Sequence, residues 1–157
     1  MGLFSRRRDT GPAVPEGMPE SIEQGFQWQA TAFIEAFIGE GSPIEEGALD
    51  YSPASLRAVD DMLDDFHRQS APLPDDLHFL AASYVFEVVR REFGGRYLRG
   101  DDDDPFVLVI GDAGAQVGVM AFSRVMGRTL NGTEDDLVRF HDGIAPAIAR
   151  ATDVTLS

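Results

Sequence analysis

Cysteine and lysine are both absent from this chain of 157 residues. Without cysteine there is no thiol nucleophile, no thiolate metal site and no disulfide framework, which fits a reducing, cytoplasmic setting. Without lysine, no phosphate-binding loop of the P-loop type has the side chain that reaches the β- and γ-phosphates. Arginine supplies all 13 basic side chains, a usage that reads as coding bias before it reads as function. Positive charge is scarce beyond the first few residues. With Arg6, Arg7 and Arg8 set apart, residues 9–157 carry 10 arginines against 27 acidic side chains, a balance of −17. Such a surface repels phosphate backbones, so nucleic acid is excluded as a partner, while a basic protein is attracted. Long apolar runs are lacking too: no stretch approaches the roughly 20 residues that span a bilayer. "MGLFSRRRDTG" has no apolar core behind its arginines and predicts no secretory signal. Arg6 stands where a myristoylation pattern needs serine or threonine.

What is present suits a folded chain. Hydrophobic residues make up 43% of the sequence, enough to bury a core at this length. Residues 1–18 mix arginine, glycine and proline and predict a flexible tail. Residues 19–157 predict a single α+β domain. Apolar residues from Ile22 to Ile38 recur at three- and four-residue spacing, the mark of a helix with one buried face, and Gly39 and Gly41 end it. Ser52 and Pro53 suit the N-cap and first helical position of a second helix. Its stripe is Leu56, Val59, Leu63 and Phe66, and Asp60, Asp61, Asp64 and Asp65 are expected mostly in water. A third helix starts at Asp75 and Asp76, which favour the positive end of the helix dipole. It stops at Gly94-Gly95, and its apolar residues lie on almost every side, so burial on several faces is expected.

Three short strands follow, "RYLR", "FVLVI" and "QVGVMAF", forming a small antiparallel sheet. "GDAGA" is expected to be a hairpin connection between the last two. "SRVMGRTL" predicts a short helix capped by Ser123. Thr133 and Asp136 then suggest a capping box opening a longer final helix that Pro146 kinks or splits.

Chemistry is harder to find. "GDAGAQVG" feeds a strand, whereas a phosphate site needs its glycines to feed a helix N-terminus. Asp101–Asp104 are contiguous, so in extended chain successive side chains point to opposite sides. They predict a solvated loop, and a weak divalent site on Asp101 and Asp103 is the alternative. His67, His78 and His141 show no metal-ligand spacing, and no Gly-x-Ser-x-Gly turn presents a nucleophile. Glu87 stands out because it is acidic within "SYVFEVVRR". Arg90 and Arg91 follow at three and four residues, the favourable order for a helical ion pair. The competing reading is a carboxylate of raised pKa acting as acid or base in a pocket.

"SYVFEVVRREFGGRYL" with "MAFSRVMGRTLNGTEDDLVRFH" resembles a bacterial domain family of unknown function. That pattern runs Tyr-x-Gly-Glu-Val-x-x-Arg, Gly-Gly-x-Trp, Pro-Phe-x-Lys-Val-x-x-Arg and Asn-Gly-x-x-Asp-x-Leu. "YSPASLRAVDDML" resembles its upstream helix, and the likeness spans about residues 51–141. Tyr84, Glu87, Gly94, Gly95, Phe122, Val125, Arg128, Asn131 and Gly132 match. Phe86 replaces a glycine, Tyr97 a tryptophan, Ala121 a proline and Arg124 a lysine. The resemblance implies an α+β fold and no known activity.

Two functions follow as expectations. The first is a non-catalytic module of antidote or adaptor type that meets a basic protein through an acidic face. The second is a small-molecule binder or enzyme with a pocket near Tyr84 and Glu87, where Arg90, Arg91, Arg124 or Arg128 holds an anionic group. No cofactor is expected, and the chain is expected to be a monomer or a homodimer joined at a sheet edge.

Overall fold

The computed structural model describes residues 21–111 and 115–150, together with the backbone of residues 154–156. The expected tail and the Asp112–Gly114 part of the expected hairpin turn lie outside the described residues. Helix α1 spans Ile22–Ala36, capped by the Ser21 side chain, which accepts from the Gln24 amide. A 3-10 turn, Pro53–Ser55, leads into α2, Leu56–Arg68. Ser52 caps that turn by accepting from the Ser55 amide, as its place ahead of a proline requires. Helix α3 runs Asp75–Phe93, with the expected two aspartates in its first turn and two arginines in its last.

Strands β1 (Arg96–Arg99), β2 (Phe106–Ile110) and β3 (Val117–Val119) pair antiparallel, Arg99 facing Phe106 and Ile110 facing Val117. Then come α4 (Ala121–Asn131), a 3-10 turn at Gly132–Asp135, α5 (Leu137–Asp142), α6 (Ile144–Ala149) and β4 (Val154–Leu156). The α+β class is as expected, and four details differ. The sheet has a fourth strand, β4, parallel to β3 with Val117 facing Val154. A parallel neighbour needs a crossover of a dozen or more residues, and α4 to α6 supply it. The first helix after the sheet is the longer one, because Ala121 and Phe122 leave the strand and begin α4. Thr133 caps nothing; it sits inside the 3-10 turn, and Asp136 caps α5 by accepting from the Arg139 amide at 2.9 Å. The final helix is split at Gly143, which places Pro146 in the first turn of α6, where its missing N–H costs nothing.

Helix α3 is the centre of the molecule. Ala81 to Val89 are buried without a break, because α1 covers one side, α4 another and β2 packs against it as well. The heart of the core is aromatic. Phe26 of α1 stacks on Tyr97 of β1 at 4.3 Å and meets Phe86 and Phe106 edge-on at 5.3 and 5.4 Å. Phe86 in turn meets Tyr97 at 5.3 Å and Phe122 of α4 at 5.7 Å. Burying one such ring contributes about 1.5–3 kcal/mol, and ring pairs in these geometries add about 0.5–1.5. Gly95 lets the chain leave α3 tightly: its φ is +113°, and a Cβ there would lie 2.9 Å from the Val109 carbonyl oxygen.

The four-aspartate loop joins β1 to β2 and is closed by the Gly100 amide donating to the Pro105 carbonyl at 2.9 Å. Asp101, Asp102 and Asp103 are exposed, but Asp104 is buried, contrary to the expectation of a wholly solvated loop. Its Oδ1 accepts from the Ser123 amide at 3.0 Å, and its Oδ2 accepts from the Ser123 hydroxyl. The carboxylate therefore caps α4 from another element, and Ser123 is the capped residue rather than the cap. Orphan amides and the positive end of α4 favour a negative group at this place. Asp104→Ala is expected to lower stability by about 1–2 kcal/mol. Asp102→Asn with Asp103→Asn should leave stability unchanged. Urea denaturation of the two variants checks both, and equal effects would remove the cap from the account.

Candidate functional site

The residues singled out in the sequence fall into separate clusters. Glu87 lies at 0% exposure on α3, one turn before Arg90. Arg90 grips it with both ends of the carboxylate engaged: Nε donates to Oε2 at 2.9 Å and Nη2 to Oε1 at 2.8 Å. The Tyr97 hydroxyl, brought over by β1, donates to the same Oε2 at 2.8 Å. Burial pushes the Tyr97 phenol well above the usual tyrosine range, and the Glu87 carboxylate beside it pushes the same way. Hydrogen bonding to Glu87 holds the Arg90 guanidinium above the usual arginine range.

Arg91, four residues from Glu87, does not reach it. Its guanidinium lies 3.5 Å from the centre of the Tyr51 ring, a favourable place for a cation. Tyr84 points elsewhere again: its hydroxyl meets Ser55 Oγ at 2.7 Å and accepts from the Tyr51 amide at 2.9 Å. Burial raises its pKa, against the pull of the Ser55 and Tyr51 hydrogen bonds. Tyr84 thus ties the approach to α2 onto α3.

Arg124 and Arg128 project from α4 into three further ion pairs. Arg124 donates from Nη1 to Asp135 Oδ1 at 2.8 Å and lies 4.8 Å over the Phe140 ring. Burial lowers its pKa, opposed by Asp135. Gly127 makes room for this arrangement, since a Cβ there would come within 2.4 Å of the Asp135 carboxylate. Arg128 is buried and donates through Nε to Asp60 Oδ1 at 2.8 Å and through Nη2 to Asp60 Oδ2 at 3.2 Å. The same Nη2 reaches Asp64 Oδ1 at 2.9 Å. Hydrogen bonds from Arg68 and Arg128 hold the Asp64 carboxyl below its ordinary value.

Asp60 corrects the expectation that the α2 aspartates mostly face water. It is 2% exposed, and its Oδ1 also accepts from the Leu137 amide at the start of α5, at 3.0 Å. One carboxylate therefore joins α2, α4 and α5. The signal was present in the spacing: Asp60 is four residues after Leu56 and three before Leu63, which puts it on the edge of the buried stripe. Asp104 carried no comparable signal, because its partner is 19 residues away across the β1–β2 loop.

The candidate residues and the described clefts lie apart. Three described clefts, of about 420, 270 and 320 Å³, include none of Tyr84, Glu87, Arg90, Arg91, Arg124 and Arg128 in their walls. Among the described residues no group of three histidines or acids is placed to hold a metal ion. In the Asp101–Asp103 loop, Asp101 Oδ1 already accepts from the Asp103 and Asp104 amides at 3.1 and 2.9 Å. No described helix is long and apolar enough to cross a membrane. No protein-family model, curated protein or solved structure matches the chain.

Two measurements test the internal pairs. Glu87→Gln strands a largely buried arginine, and Asp60→Asn removes the charge opposite a fully buried one. Breaking such pairs costs about 3–5 kcal/mol; Glu87→Gln should fall at the lower end, since the Arg90 side chain is one quarter exposed. Losses under 1 kcal/mol in chemical denaturation would show that neither pair is structural. The second measurement is alkaline stability. Unfolded tyrosine titrates near 10, and Tyr97 is held protonated well above that in the folded chain. Its contribution is full below pH 10 and is lost as pH rises beyond it, because the unfolded state then binds fewer protons. Stability should fall from pH 10 upward, less steeply in Tyr97→Phe than in the parent.

Proposed function

We propose that the protein is a non-catalytic binding module of antidote or adaptor type, which meets a basic protein partner through surface carboxylates. One observation carries this reading. The arginines expected to line a pocket near Glu87 are engaged within the fold, Arg90, Arg124 and Arg128 in ion pairs and Arg91 over the Tyr51 ring, while several acids outside those pairs are exposed. Arg90 is bound to Glu87, Arg124 to Asp135 and Arg128 to Asp60. By contrast Asp61, Asp75, Asp76, Asp102, Asp103 and Glu134 are exposed and take part in none of the ion pairs found among the described residues.

With a net charge of −14, this surface draws a basic partner at long range and rejects acidic ones. Glu87 has both carboxylate oxygens engaged and no exposed area, so it supports the fold rather than proton transfer to a ligand. The Tyr-x-x-Glu and Gly-Gly positions of the resemblance have structural duties here, which fits a family pattern kept by folding needs.

The test is affinity capture from native extract at low and high salt. The bait is the parent chain, compared with a variant carrying Asp61, Asp75, Asp76 and Glu134 as their amides. A basic protein retained by the parent at low salt, and weakened about tenfold or more in the variant or at high salt, is the expected result. Capture indifferent to both changes would overturn the reading, since surface charge attraction is screened within about 10 Å at 0.1 M salt.

A further inference from the structure

One of the clefts combines the two features a basic, partly apolar segment would need. It holds about 320 Å³ between α4, the start of α3 and the β1–β2 loop. Phe122, Met126 and Leu130 form its apolar wall at four-residue spacing along α4, and Leu130 is 68% exposed. His78 forms the opposite side. Its Nε2 donates to the Phe122 carbonyl at 2.8 Å, which pins α3 to α4 and fixes the cleft's width.

Asp102 and Asp103 stand on the lip, exposed, and Asp75 and Asp76 lie one turn before His78 on α3. No arginine lines the cleft, because Arg124 and Arg128 on the same helix turn to Asp135 and Asp60. Leu130 offers apolar surface and Asp102 and Asp103 offer negative charge side by side, the two features that an apolar contact with a positively charged rim would use.

We propose that this cleft is the docking site for a basic amphipathic segment of a partner protein. An aliphatic side chain of that segment sits against Phe122, Met126 and Leu130, and flanking arginines or lysines meet Asp102 and Asp103. The proposal rests on the acidic-surface reading and assigns it a place and an anchor. Charge complementarity argues for this occupant over a second copy, whose matching face would bring acidic lips together. The apolar wall supplies register, which charge alone does not.

The test uses the full chain and two fluorescein-labelled synthetic peptides, one with leucines flanked by arginines and one with those leucines replaced by serine. Binding is followed by anisotropy and mapped by amide shifts. The leucine peptide should bind at least tenfold more tightly than the serine peptide and shift the amides of residues 122–130. Leu130→Asp and the double change Asp102→Arg with Asp103→Arg should each weaken it about tenfold while keeping the parent's melting temperature. All three positions are exposed, so folding is preserved and the controls are readable.

Equal binding of both peptides, unaffected by Leu130→Asp, would overturn the cleft and leave the acidic-surface reading standing. No binding of either peptide would sink both. If changing Arg6, Arg7 and Arg8 to serine in the full chain shifts the cleft amides and raises peptide affinity tenfold, the occupant is this chain's own segment and the proposal falls. Concentration-dependent dimerisation abolished by Leu130→Asp would assign the cleft to a second copy and overturn it equally.

Discussion

A charge buried in protein must be paired, and in this molecule the pair of Asp60 and Arg128 sets where three helices go. Removing two ions from water costs several kcal/mol each, repaid only when geometry is good and the remaining polar atoms are satisfied. Asp60 meets that demand by accepting from two guanidinium nitrogens and from the Leu137 amide. The Leu137 contact is the economical part, since the amide belongs to the first turn of α5 and would otherwise be an orphan. Satisfying the carboxylate therefore places α4 against α2 and starts α5 at the same point. Arg128 Nη1 has no partner among the described residues. The pair thus fixes the arrangement of the helices more than it adds to their stability.

The Glu87 cluster repeats the device on the other side of the core. There the carboxylate is wholly buried and the tyrosine that serves it comes from the sheet, so α3 and β1 are joined through a polar contact inside an aromatic shell. Phe86 and Phe26 close over Tyr97, whose hydroxyl reaches Glu87 on the buried side of the pair. The helical pair expected between Glu87 and a following arginine is present, formed with Arg90.

Both devices bear on function by subtraction. Arginine is the only strongly basic residue type in the chain, and the ion pairs inside the fold use several of its side chains. Acids still outnumber arginines across the chain, and α4 presents Leu130 to solvent while its own Arg124 and Arg128 turn inward. The inward commitment of Arg124 and Arg128 thus creates the acid-rimmed cleft as well as the helix packing. Fold and surface charge come from the same few side chains.

By itself the sequence determined the local elements. Periodicity placed α1 and α2, proline and serine opened α2, length and caps placed α3 with Gly94-Gly95 closing it, and the apolar run "FVLVI" located β2. These signals are local because capping and amphipathicity act over one or two turns. Glu87 and Arg90 were legible as a pair for the same reason, being three residues apart on one helix. Tertiary structure alone decided the rest. Asp60 finds Arg128 across 68 residues, Asp104 finds Ser123 across 19, and β4 joins the sheet in parallel after three helices. The spacing of Asp60 showed that it lies at the edge of the buried stripe, but none of these partners leaves a local trace, because a carboxylate's fate depends on which donors the folded chain brings to it. The same limit explains why Tyr84, Arg91, Arg124 and Arg128, alike as candidates in sequence, ended in separate contacts: proximity along a helix constrains a side chain's direction, but only packing supplies its partner.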